Sequence, residues 1–83
     1  MKFIAEIDVM PKKEILDPQG KAVKLGLGNL GVQNVSDVRI GRHITLELEA
    51  ANEVEATVQT TKACEKLLAN LIMESFQFKI IAG

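Results

Sequence analysis

The sequence holds a single cysteine (Cys64), a single histidine (His43), three aromatic residues and no tryptophan or tyrosine. Each scarcity removes a class of protein. One cysteine cannot form a disulfide within the chain, and one cysteine with one histidine falls short of the ligand sets that hold structural zinc or iron–sulfur clusters. Ten basic residues against eleven acidic ones leave a formal charge of −1, without the basic patch that nucleic acid asks for. No apolar run approaches the roughly 20 residues that span a bilayer. The opening "MKFIAEIDVM" carries charge every second or third residue after Ile4, unlike a signal peptide. A lone thiol and no export signal predict a cytoplasmic protein, with neither nucleic acid nor membrane as partner.

What is present is 83 residues, 47% of them hydrophobic, which predicts one domain over 1–83. A chain so short buries only about 60–65% of its unfolded surface. Without disulfide or metal, association with itself or another protein is the remaining route to added stability.

The hydrophobic pattern sets out six elements. Residues 2–9 alternate Phe3, Ala5, Ile7 and Val9 with Lys2, Ile4, Glu6 and Asp8, a half-buried strand that ends at Pro11. Asp17 and Pro18 are the cap and first position of a helix over about 18–30, and Gly31 is its left-handed terminator. In "NVSDVRIGRHITLELEA", Val35–Ile40 and His43–Glu49 both alternate around Gly41-Arg42, which predicts a hairpin with a type II′ turn. Asn52 caps a second helix whose apolar stripe reads Val54, Val58, Thr61, Cys64, Leu68 and Leu71. "SFQFKIIAG" closes as a strand. The order βαββαβ predicts an α+β, ferredoxin-like sandwich: a four-stranded antiparallel sheet, both helices on one face, strands one and three central.

The first helix carries Gly20, Gly26 and Gly28, each costing roughly 0.5–1 kcal/mol against Ala. Gly26 falls on the apolar face and is expected to let the helix approach the sheet. Gly20 is expected to leave the surface bare for a partner's backbone. Gly28 has no account from the sequence.

Catalytic groups are scarce. Cys64 lies on the apolar stripe, where a thiol packs as a small hydrophobe. His43 falls on a polar strand face with no Ser, Cys or Asp placed by the sequence to partner it. Glu6, Asp8, Glu47 and Glu49 read as a mixed-charge face shared with Arg39 and Lys79 rather than a cation site. "DPQGK" joins a helix N-terminus to a glycine and a lysine, as phosphate sites do, yet Asp17 already occupies that end. The central strands lack the stacking aromatics of an RNA-recognition module. The first loop lacks the CxxC of a metallochaperone and the arginine of an acylphosphatase.

The run Pro11, Lys12, Ile15, Leu16, Asp17, Pro18, Gln19, Gly20 and Ala22, followed by Val38, Arg39, Gly41, Arg42 and Ile44, resembles the signature of the PurS family. That family is the small subunit of phosphoribosylformylglycinamidine synthase in purine biosynthesis. The resemblance implies a non-catalytic chain, a dimer or tetramer with itself, which joins a large synthetase subunit (PurL type) to a glutaminase subunit (PurQ type). It implies that the assembled ligase uses ATP and Mg while this chain binds no cofactor or metal and supplies no catalytic residue. Lys12, Lys13, Gln19, Gly20, Arg39, Arg42 and His43 are the expected partner-facing residues. The competing reading is an ACT-type regulatory module, which shares the element order and binds a small molecule near the first loop and helix.

Overall fold

A computed structural model describes residues 1–83. Three strands, β1 (Lys2–Pro11), β2 (Arg42–Glu49) and β3 (Glu74–Ala82), form one antiparallel sheet in the order β2-β1-β3. Two helices accompany it, α1 (Pro18–Asn29) and α2 (Glu53–Ala63), the second continuing into a wider π-helical turn over Cys64–Leu68. The central strand carries the alternation read from its residues: Phe3, Ala5, Ile7 and Val9 are buried, while the opposite face lies open.

The helix signals act as expected. Asp17 Oδ1 accepts from the Gly20 amide at 3.0 Å, with Pro18 at the first helical position. Gly31 adopts φ 86°, and its amide bonds Gly28 while that of Val32 bonds Leu27, a left-handed termination only Gly makes without strain. Asn52 caps α2 by accepting from the Glu55 amide at 2.9 Å.

Three expectations are corrected. The predicted hairpin does not form within the chain, so the sheet has three strands rather than four. Residues 32–41 contain neither strand nor turn. Gly41 lacks the positive φ of a type II′ turn; instead it lies against β1, where a Cβ would overlap the Met10 sulfur and the Val9 carbonyl. With no neighbour outside it, β2 is an edge strand, and β1 alone is central.

Nor do both helices cover the sheet. Of α1 only Gly20 is buried, and the helix associates with residues 36–40 instead. Lys24 Nζ donates to the Ser36 carbonyl at 3.0 Å, and Gly20 sits on the Val38 carbonyl. Gly26 therefore approaches no sheet; nothing lies within 4 Å of where its Cβ would be.

The stripe of α2 is displaced as well. Ala56, Thr60 and Cys64 are fully buried, whereas Val54 is 74% and Val58 61% exposed. Small side chains at i, i+4 and i+8 bring the helix close to the sheet, with Ala56 packed on Phe3 and Cys64 on Ala5, Ile7 and Val9. The π-helical turn, closed by the Ala69 amide on the Cys64 carbonyl at 3.0 Å, then rotates the chain so that Leu68 and Ala69 join the core.

Candidate functional site

The expected partner residues fall into two groups. The first is a clasp at the C-terminal end of β1, where the two halves of the signature meet. Asp17 caps α1 with one oxygen and accepts the Ile40 amide with the other at 2.8 Å. These amides, Ile40 first and Gly20 second, hold the Asp17 carboxyl below its ordinary pKa. Arg39 donates through Nη2 to the carbonyls of Pro11 and Lys12, the latter at 2.6 Å. Gly20 completes the clasp, because a Cβ there would overlap the Val38 carbonyl. The backbone that needs Gly20 bare is this chain's own. Arg39 is likewise turned into the clasp and away from the sheet face it was expected to share with Lys79. Lys13 and Gln19 stand exposed beside the clasp, and Lys12 is half-buried.

The second group sits where β2 begins. Arg42 grips the Glu74 carboxylate with both terminal nitrogens, at 2.6 and 2.9 Å, and donates to the Leu68 carbonyl at 2.8 Å. The pairing raises the arginine's pKa and, with the Asn70 amide, lowers that of Glu74. His43, on the open face, has Asp8 Oδ1 at 2.7 Å from Nδ1 and Glu6 Oε2 at 2.7 Å from Nε2. Only a ring protonated on both nitrogens satisfies both carboxylates, and the two bonds, Asp8's the larger, push the histidine's pKa up.

His43 was expected to lack a partner, and here it has two. The signal was available in the strand pattern: antiparallel pairing sets Asp8 directly opposite His43, and Lys79 opposite Glu6. Glu74 has its partner thirty-two positions earlier, a separation that no local sequence pattern reaches. Cys64 is fully buried, as expected, and burial pushes its thiol pKa up.

The geometry defines a small α+β sheet protein whose signature residues fasten its own loops and strand ends. The PurS family profile, described as phosphoribosylformylglycinamidine (FGAM) synthase, matches residues 4–82. The PurS subunit of Synechocystis is 46% identical over 80 residues, covering 96% of this chain and 80% of that protein. The PurS subunit of Bacillus subtilis is 36% identical over 78 residues, covering 94% and 92%. Among solved structures, one of PurLQS from Thermotoga maritima contains a chain that is similar at a TM-score of 0.89, with 32% identity over 98% of this chain and 99% of that one. The chain belongs to the PurS family.

Proposed function

We propose that this chain is the small, non-catalytic subunit of phosphoribosylformylglycinamidine synthase and holds a PurL-type synthetase and a PurQ-type glutaminase in one assembly. The observation that carries the reading is full-length similarity to PurS subunits, one of them solved within PurLQS. The ATP and Mg of the reaction are used, in this reading, by the assembled complex and not bound by this chain. The chain works in the cytoplasm, which agrees with its having no helix long and apolar enough to cross a membrane.

Partner contact is assigned first to Lys13 and Gln19, which are exposed beside the clasp. Lys12 joins them through its side chain. Gly20 and Arg39 act indirectly, by fixing the surface those residues stand on, and Arg42 and His43, exposed at the start of β2, offer a second contact. The test is reconstitution with a PurL-type synthetase and a PurQ-type glutaminase. Glutamine-dependent amidine formation should require this chain, and the three should co-purify. Full activity in its absence would remove the proposal.

A further inference from the structure

Only Gly20 of α1 is buried, and the helix is anchored to residues 36–38 by Gly20 on the Val38 carbonyl and Lys24 on the Ser36 carbonyl. Val23, Leu27 and Leu30 form its apolar side. The opposite side carries Lys21, Leu25 and Gly28 at i, i+4 and i+7. Leu25 is 70% exposed, and a Cβ on Gly28 would meet nothing within 4 Å, so the backbone is bare there. An interior helix glycine costs roughly 0.5–1 kcal/mol, and at Gly28 no contact within the chain offsets it.

Charge singles out the same side. Residues 11–42 hold six basic against three acidic side chains, a balance of +3, while the other 51 residues hold four against eight, a balance of −4. Of the three acids, Asp17 is engaged by the Gly20 and Ile40 amides, which leaves Glu14 and Asp37; α1 itself has none. Two shallow, open grooves meet at Lys21. Lys13 and Leu16 line the first with it, and Lys24, Leu25 and Gly28 line the second. With Leu16 64% exposed, the strip sets aliphatic side chains among lysines, an apolar centre with a charged rim. No aromatic residue falls within 11–42, so nothing there can stack a nucleic-acid base.

We propose that this outer side of α1 docks on an acidic surface of the large synthetase subunit. Carboxylates of the partner face Lys13 and Lys21, an apolar side chain lies against Leu25, and partner backbone is seated on Gly28. Docking of this kind presupposes the assembly role proposed above. Opposite charge steers the encounter and fixes its register, and the bare turn at Gly28 permits an approach that a Cβ would block. The strip continues from Lys13 and Gln19 beside the clasp for about 18 Å along the twelve residues of α1. A contact of that length asks for a broad partner, the large subunit rather than the glutaminase.

The purified full-length chain, titrated into a PurL-type synthetase by calorimetry, tests it. Binding should weaken as salt rises from about 0.05 to about 0.5 M. Lys21→Glu should weaken it about tenfold, and Leu25→Ser should weaken it too, with circular dichroism and the mass of the chain alone unchanged. Gly28→Ala should bind about fivefold more weakly although it melts higher, so lost binding there is not lost folding. Gly26→Ala, on a different side of the helix, should melt higher and bind as the wild type does. Wild-type binding that Lys21→Glu and Gly28→Ala leave unaffected would overturn the docking surface alone. So would equal losses at Gly26 and Gly28, weakened binding to the glutaminase only, or a loss that follows a change in the chain's own oligomeric mass. A wild-type chain that ignores the synthetase would remove the assembly role and this surface together.

Discussion

The carboxylate of Asp17 receives the backbone amide of Ile40 at 2.8 Å across 23 positions of sequence, while its second oxygen caps α1. One side chain thus starts the helix and fixes the segment that returns beside it. Asp17→Asn separates the two roles. Asparagine caps helices as well as aspartate does, but its amide nitrogen cannot accept from a second N–H. The folded carboxyl titrates below its ordinary 3.8, so its contribution is present above that pH and is lost as pH falls through the lower, folded value. The variant should have a lower urea midpoint at neutral pH and a shallower loss of stability under acid, read by circular dichroism.

The three glycines of α1 should respond in opposite directions to alanine. At Gly20 the new methyl group would overlap the Val38 carbonyl and come within 2.8 Å of Asp17 Oδ2. Backbone must move, at a cost of roughly 1–3 kcal/mol. At Gly26 and Gly28 nothing lies within 4 Å, and each substitution should stabilise by about 0.5–1 kcal/mol through helix propensity. Chemical denaturation of the three single variants measures the signs. Equal effects at all three would refute a packing role for Gly20.

What local chemistry governs was legible in the residues: the caps at Asp17 and Asn52, the stop at Gly31, and the alternation of β1. These depend on neighbours within a few positions. The hairpin around Gly41 was misread because its local pattern is a sound one. The deciding contacts are distant, from Gly41 to Met10 and from Arg39 to the carbonyls of Pro11 and Lys12. The stripe of α2 held at Cys64 and Leu68 and failed at Val54 and Val58, for a different reason. Hydrophobicity favours Val54 and Val58, whereas close approach to a sheet favours Ala56, Thr60 and Cys64, and side-chain volume decided. The clasp was visible only as two separate motifs, because nothing in either names the other as its contact.

His43, bound by Asp8 and Glu6, makes the fold weaken as pH rises. Its folded pKa lies above 6.5. The stabilisation it provides is therefore complete below that value and is lost as pH rises through the raised one. Stability should therefore be greater near about pH 5.5 than above the raised value. His43→Gln should remove that slope while leaving the fold intact. The proton resonance of the imidazole, followed by NMR, should titrate later than 6.5; a midpoint at or below that value would show that the two contacts do not persist in solution.

Thr60 is fully buried, and its hydroxyl has no hydrogen-bond partner. Thr57 and Thr61 on the same helix return their hydroxyls to the carbonyls one turn back, each at 2.9 Å, so the unpaired state is particular to this position. A buried polar group without a partner costs about 1–3 kcal/mol of desolvation. Valine has nearly the same shape and the same branching at Cβ, so it preserves the close contact of α2 with the sheet while discarding the oxygen. Thr60→Val should raise stability by about 1 kcal/mol in chemical denaturation. Thr60→Ala should gain less, because it removes the same hydroxyl but opens a methyl-sized void against the sheet. A loss of stability in the valine variant would show that the hydroxyl finds a partner in solution.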